Sequence, residues 1–112
     1  MIIYHNPRCR KSRETLAIIN DNGVQPDIVE YLVNPMNKEE LKAILDKLDM
    51  KASQIIRKGE AIFKEKFKGK DLSEDEWIQA ISDYPKLMER PIVVKGNKAV
   101  LGRPPENVNE MF

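Results

Sequence analysis

The hydrophobic pattern of the first third of the chain predicts a strand, a helix and a second strand. Residues 1–4 form a short apolar, β-prone run that stops at Asn6-Pro7. Apolar residues at helical spacing predict a helix over residues 12–22, and Gly23 follows where a left-handed terminator belongs. Residues 26–32 alternate as a second strand does. Because a helix separates the two strands, we expect them to be parallel.

The middle of the chain has a helical pattern instead. Asn37 and Glu40 resemble a capping box, and Ser73 and Glu76 form a standard one, so each pair predicts the start of a helix. The second of these helices is expected to end near residues 84–85. Between the two, residues 52–68 predict short helical pieces that are broken at Gly59.

The last part of the chain returns to strands. Residues 91–94 and 99–101 predict two short strands joined by a tight turn at Gly96-Asn97, and residues 106–112 predict one or two helical turns. The order β-α-β, helices, β-β, α predicts an α/β fold with a mixed four-stranded sheet. The 112 residues are long enough for one core, so we expect a single domain, 1–112, with a helical insertion at about 37–84.

Composition narrows the classes of function. The 19 basic and 18 acidic residues leave a net charge of +1, so the basic excess typical of nucleic-acid binding is missing. No stretch approaches the roughly 20 apolar residues of a membrane span. A single cysteine cannot form an internal disulfide, and the N-terminus does not resemble a secretory signal. We therefore expect a soluble cytoplasmic protein that binds neither nucleic acid nor membrane.

Cys9 is the candidate for chemistry because it is expected at or just before the N-terminus of the first helix. The stretch "YHNPRCRKSRETL" surrounds it with four cations, Arg8, Arg10, Lys11 and Arg13. Unpaired backbone N–H groups, the helix dipole and these cations all favour a thiolate or a bound oxyanion there. An inert core cysteine is the ordinary alternative, but a charged loop after Asn-Pro argues against it.

Spacing excludes several thiol chemistries. Ser12 stands where a C-x-x-C pair would need its second cysteine, and one cysteine with one histidine cannot complete a zinc site, so we expect no metal. Glu14 stands where a cysteine phosphatase loop would need an arginine. A Cys-His hydrolase with His5 as its base stays formally open. The alternative is a monothiol that attacks an electrophile and is resolved by a thiol from another molecule.

His5 and Ser12 could support the thiol. A lone histidine is often just a polar residue at a strand end, but a protonated imidazole near the sulfur would favour the thiolate. The Ser12 hydroxyl could either cap the first helix or form a hydrogen bond with the sulfur.

Four motifs give the chain a family resemblance. With "HNPRCRKSR", "IIRKGE" at residues 55–60, "ERPIVV" at 89–94 and "GRPPE" at 102–106, it resembles the glutaredoxin-coupled arsenate reductases over nearly its whole length. The resemblance implies a thioredoxin-like fold with a helical insertion.

The resemblance also implies roles for particular residues. Cys9 matches the nucleophile, Arg57, Arg90 and Arg103 match three arginines around the oxyanion, and His5 and Ser12 match positions that assist the thiolate. It further implies a cis peptide bond before Pro91. Guanidinium groups suit such an anion because they bind it bidentately and keep their charge.

The implied activity is reduction of arsenate to arsenite through a cysteine–arsenate adduct. Glutathione, as co-substrate, and glutaredoxin would resolve this adduct, and no cofactor would be bound. Two alternatives stay open: a glutathione-dependent thiol reductase acting on another substrate, and an Spx-like regulator that binds RNA polymerase. Such regulators usually carry a C-x-x-C pair, which Ser12 removes.

Overall fold

The computed structural model describes all 112 residues and contains strands, α-helices and short 3-10 helices. The strands are β1 (Ile2–Tyr4), β2 (Asp27–Val29), β3 (Ile92–Lys95) and β4 (Lys98–Leu101). The α-helices are α1 (Arg10–Asp21), α2 (Lys38–Leu48), α3 (Ala61–Lys66) and α4 (Glu74–Asp83). The 3-10 helices span Ala52–Ile55, Pro85–Leu87 and Pro105–Met111. No helix combines the length and the apolar character that crossing a membrane demands.

The strands form one mixed sheet in the order β2-β1-β3-β4. β1 is parallel to β2 and antiparallel to β3, and β3 is antiparallel to β4. Ile3 lies at the centre of the sheet, opposite Ile28 on one side and Val93 on the other. The parallel pair needs a crossover connection, which α1 supplies. The predicted mixed four-stranded α/β sheet is confirmed.

The contacts divide the chain into two compact units. The sheet unit comprises Met1–Asn34 and Arg90–Phe112, and the helical unit comprises Pro35–Glu89. The predicted insertion at about 37–84 lies within the helical unit, and the assignment of one domain to the whole chain stays a prediction.

The sheet unit has a core made almost entirely of aliphatic side chains. Their burial removes apolar surface from water and is the main force that holds α1 and the C-terminal 3-10 helix on the sheet. The buried members of this core are Ile3, Ile19, Val93, Val100, Val108 and Met111.

Helix α1 ends as the sequence predicts. Gly23 has a φ of +78° and donates its amide hydrogen to the Asn20 carbonyl at 2.9 Å. Glycine reaches this left-handed conformation without a steric penalty, so the chain can turn toward β2. The helix begins at Arg10, two residues before the predicted start.

Strand β2 is shorter than predicted. It ends at Val29, whereas the alternating pattern predicted a strand through Leu32. Its partner β1 stops at Tyr4, and the His5 amide makes the last bond, to the Val29 carbonyl at 2.8 Å. The chain then turns at Glu30, whose carbonyl accepts two later amide hydrogens. Alternation alone could not reveal where the partner strand ended.

The turn between β3 and β4 is confirmed at Gly96-Asn97. Gly96 has a φ of +61° and is the first of the two residues that connect the strands. A glycine at this position matches the twist of a tight hairpin.

The helical unit uses the predicted capping boxes. The Asn37 and Ser73 side chains accept the amide hydrogens of Glu40 and Glu76, at 2.8 and 3.2 Å, and both glutamates accept an amide hydrogen in return. The predicted break at Gly59 separates two short helical pieces, and α4 ends at Asp83, next to the predicted end.

Candidate active site

Cys9 is the N-cap residue of α1. Its backbone is extended, with a φ of −92° and a ψ of 122°, and no side-chain hydrogen bond caps the helix. The first turn of α1 contains no acidic residue. The free thiol is mostly buried, with 8% of the residue exposed. The structure therefore confirms the predicted position, where amide dipoles favour a negative charge.

The loop before the thiol is closed by Asn6. The side-chain oxygen of Asn6 accepts the Arg8 amide hydrogen at 3.0 Å. The backbone carbonyl of Asn6 accepts the Cys9 amide hydrogen, also at 3.0 Å. Arg13 adds a bond from its Nη1 to the Pro7 carbonyl at 3.0 Å. An asparagine followed by proline favours such a turn because both restrict the backbone locally. These bonds hold the cysteine backbone at the start of the helix.

His5 and Ser12 form a buried hydrogen-bonded pair. His5 Nδ1 lies 2.5 Å from Ser12 Oγ, which also accepts the Asn6 amide hydrogen at 3.1 Å. The sequence left open whether this hydroxyl caps α1 or bonds the sulfur. It does neither, because its hydrogen bonds go to His5 and Asn6.

The surroundings of His5 shift its pKa. Burial lowers the pKa of His5 below its ordinary value, the positive charge of Arg13 lowers it further, and Glu30 opposes them. A lowered pKa disfavours the protonated imidazole. Support of the thiolate by His5 and Ser12 stays a prediction.

Arg90 and Arg103 meet at the end of the sheet. Nη1 of Arg103 donates a hydrogen bond to the Arg90 carbonyl at 3.3 Å. Nε and Nη1 of Arg90 are buried and have no hydrogen-bond partner. Because a buried donor without an acceptor is costly, an oxyanion that accepted these bonds would be stabilised there.

Both arginines precede a cis proline. The Arg90–Pro91 peptide bond is cis, which the resemblance implies, and the Arg103–Pro104 bond is also cis. The second was not predicted, although the repeated Arg-Pro dipeptide was a signal that could have suggested it.

Gly102 brings the end of β4 close to α1. A Cβ at this position would lie 2.6 Å from Thr15 Oγ1 and 2.8 Å from Pro91 Cγ. Thr15 is fully buried, and its hydroxyl donates to the Lys11 carbonyl at 2.8 Å. The contact needs a residue without a side chain, and Arg103 follows directly. Sequence reasoning missed both Gly102 and Thr15, because residues so far apart in the chain give no local signal.

Arg57 lies in the helical unit. Its guanidinium forms an ion pair with Glu60, and its Nε is 4.0 Å from a carboxylate oxygen of Glu89. Its amide hydrogen also bonds to the Leu87 carbonyl at 2.7 Å. The pairing with Glu60 has an i,i+3 spacing in "IIRKGE" that could have predicted it. A part for Arg57 in oxyanion binding stays a prediction.

The sheet order and the lone thiol at the start of the first helix define a class, the thioredoxin-like proteins. The model of the ArsC family matches residues 4–111. Over 97% of its length the chain is 50% identical to the uncharacterised protein YfgD of Escherichia coli K12, covering 93% of it.

Other relatives carry names that describe an activity. A Haemophilus influenzae protein named arsenate reductase is 45% identical over 100% of this chain and 98% of that protein. The solved structure of an arsenate reductase from Vibrio cholerae has a TM-score of 0.94 at 42% identity, covering 99% of this chain and 96% of that one. The chain belongs to the ArsC family, and its fold is thioredoxin-like.

Proposed function

We propose that this protein is an arsenate reductase in which Cys9 is the nucleophile and glutathione and glutaredoxin supply the electrons. The observation that carries the proposal is a single free thiol at a helix N-terminus in the same compact unit as Arg90, a half-buried arginine with two buried, unpaired guanidinium nitrogens. The relatives named arsenate reductase, which match nearly the whole chain, support the choice of substrate.

Arg90 and Arg103 bind the oxyanion in this proposal. Nε and Nη1 of Arg90 have no partner, so each can donate a charge-assisted hydrogen bond to an anion oxygen. The bond from Arg103 to the Arg90 carbonyl restrains the second guanidinium near the same backbone. The arginines stay charged at any physiological pH, so they neutralise the anion while the sulfur attacks.

The first step is attack of the Cys9 thiolate on arsenic. A sulfur–arsenic bond forms, an arsenic–oxygen bond breaks, and the departing oxygen takes up protons and leaves as water. No electrons have yet been transferred, and arsenic is still pentavalent. The helix N-terminus and the first-turn amides favour the thiolate that this step consumes.

External thiols complete the reaction. Glutathione replaces another oxygen on arsenic and releases a second water. The glutaredoxin thiolate then attacks the glutathione sulfur, the electron pair of the arsenic–sulfur bond stays on arsenic, and arsenic becomes trivalent. Glutaredoxin is left as a mixed disulfide with glutathione. Water finally cleaves the bond between Cys9 and arsenic, which releases arsenite and the thiol. A chain with one cysteine fits this sequence because every other sulfur comes from outside.

The test is arsenate-dependent oxidation of NADPH with glutathione, glutaredoxin and glutathione reductase supplied. We expect the native chain to be active and Cys9→Ser to fall to background, because a hydroxyl at this position is a far weaker nucleophile. If Cys9→Ser retains turnover, the mechanism is wrong. If folded, reduced native protein is inactive with arsenate but still reacts with glutathione disulfide at Cys9, the second candidate, a glutathione-dependent reductase of another substrate, is favoured.

Arg57 is tested separately. If its guanidinium binds the anion, Arg57→Gln raises the KM for arsenate by about tenfold or more, as the loss of a charged hydrogen bond predicts. Lys58→Gln removes the neighbouring exposed charge and is the matched control. Equal KM values for both variants would remove Arg57 from the oxyanion site.

A further inference from the structure

The exposed cations beside Cys9 are only partly neutralised. From Arg8 to Arg13 there are four cations, and Glu14 is the nearest acid in the sequence. Glu14 pairs with Arg10 at 2.7 Å. The side chains of Arg8 and Lys11 are exposed and form no hydrogen bond or ion pair. Arg13 also lacks an acidic partner, but its guanidinium is held by a hydrogen bond to the Pro7 carbonyl. Arg8 and Lys11 are therefore the two cations without any polar partner, and they lie on either side of Cys9 in the sequence.

We infer that Arg8 and Lys11 dock the carboxylates of glutathione when its sulfur approaches Cys9. The inference rests on the proposed function, because it names the residues that guide the thiol co-substrate to the same sulfur. Glutathione fits this patch because it is a small peptide with a net negative charge and two carboxylates, one toward each end. A tripeptide spans roughly 10 Å when extended, which suits two long side chains on either side of one thiol.

The burial of Cys9 makes such guidance useful. With 8% of the residue exposed, few approach directions reach the sulfur. Charged groups at the rim of a restricted site raise the encounter rate of an oppositely charged molecule and select its orientation. The side chains of Arg8 and Lys11 have no polar partner within the protein. Their charges are therefore available to a ligand.

A small ligand fits the patch better than a protein surface does. The unpaired charges come from two side chains within four residues of the chain, and stable protein interfaces bury on the order of 1,600 Å² in total. Contact of these cations with glutaredoxin is therefore a competing outcome of the test.

The test measures how fast Cys9 reacts with two disulfides of opposite charge. Oxidised glutathione carries net negative charge and cystamine carries positive charge. In both reactions the Cys9 thiolate attacks a disulfide sulfur, a mixed disulfide forms on Cys9, and one small thiolate leaves. Mass spectrometry follows the mixed disulfide over time. The ratio of the two rates reports charge recognition, because any change in thiol acidity affects both reactions alike.

We compare the native chain with Arg8→Gln/Lys11→Gln. The ratio of the glutathione rate to the cystamine rate should be lower in the double variant by a factor of about 2 to 30. This is the decrease expected for the loss of two exposed ion pairs. Added salt should reduce the ratio in the native chain and leave the double variant nearly unchanged. Lys98→Gln removes an exposed, unpaired cation of the sheet unit far from Cys9 in sequence, and it should keep the native ratio.

Several outcomes would overturn the inference. The inference is wrong if the ratio is unchanged in the double variant or falls equally in Lys98→Gln. It is also wrong if the native chain forms no mixed disulfide. A raised KM for glutaredoxin with an unchanged ratio would assign the cations to that protein instead. The mixed-disulfide rates, which decide the inference, are measured without arsenate. Failure of the arsenate assay and failure of glutathione docking are therefore distinguishable.

Discussion

Substitution of Gly102 by alanine should destabilise the sheet unit. The new Cβ would lie 2.6 Å from Thr15 Oγ1 and 2.8 Å from Pro91 Cγ, whereas ordinary contact begins at 3.4 Å. Thr15 cannot easily move, because it is fully buried and its hydroxyl bonds to the Lys11 carbonyl. Pro91 is held by its ring and by the strand that follows it. The end of β4 or helix α1 must therefore shift.

The magnitude follows from overpacking. A single added carbon in a well-packed site costs about 1–3 kcal/mol of the free energy of unfolding. For a chain of 112 residues, each kcal/mol lowers Tm by roughly 4 °C, so Tm should fall by roughly 4–12 °C. Gly102 has no positive φ, so the destabilisation comes from the contact and not from the backbone conformation.

The assay is urea unfolding followed by circular dichroism, with Gly59→Ala as the matched control. A Cβ at Gly59 meets no atom within 4 Å, and its φ is not positive. Gly59→Ala should therefore keep the native stability or increase it by up to about 1 kcal/mol.

A second variant tests the cause. Thr15→Ala removes both Thr15 atoms that the new Cβ would meet, so Gly102→Ala should cost less in that background, with a coupling of about 0.5–3 kcal/mol. The Pro91 contact remains, so the rescue is partial. If Gly102→Ala is as stable as Gly59→Ala, or if the two substitutions are additive, the reasoning is refuted.

The remaining predictions concern buried polar groups and one helix cap. His5 has a lowered folded-state pKa, so its contribution to stability is fully present above its ordinary pKa of 6.5 and is lost as pH falls through the folded value. The stability difference between the native chain and His5→Gln should therefore shrink from pH 8 to pH 5 in urea unfolding, and a difference that is flat or grows in acid would contradict this. Ser12→Ala should cost about 1–3 kcal/mol because it leaves buried hydrogen-bond partners unpaired, whereas the exposed Ser53→Ala should stay within about 0.5 kcal/mol in the same assay. Ser73→Ala should cost about 1 kcal/mol through loss of the cap of α4, and thermal unfolding with a Tm equal to that of Ser53→Ala would count against a stabilising cap.

Features that depend on neighbours in the sequence were predictable. The capping box at Ser73 and Glu76 and the left-handed residue Gly23 each use groups within a few residues of one another. The position of Cys9 at the start of α1 followed in the same way, from the apolar strand before it and the helical pattern after it. The parallel pairing of β1 and β2 followed because a helical connection between strands favours it.

The sequence by itself determined the capped starts of α2 and α4, the turn at Gly96-Asn97 and which residue carries the thiol. Tertiary structure decided what depends on distant parts of the chain: the end of β2 at Val29, the lowered pKa of His5, and the close contact of Gly102 with Thr15. The physical reason is that hydrogen bonds in caps and turns are local. Burial, strand pairing and desolvation depend on which remote residues pack around a group, and no short stretch of sequence records them.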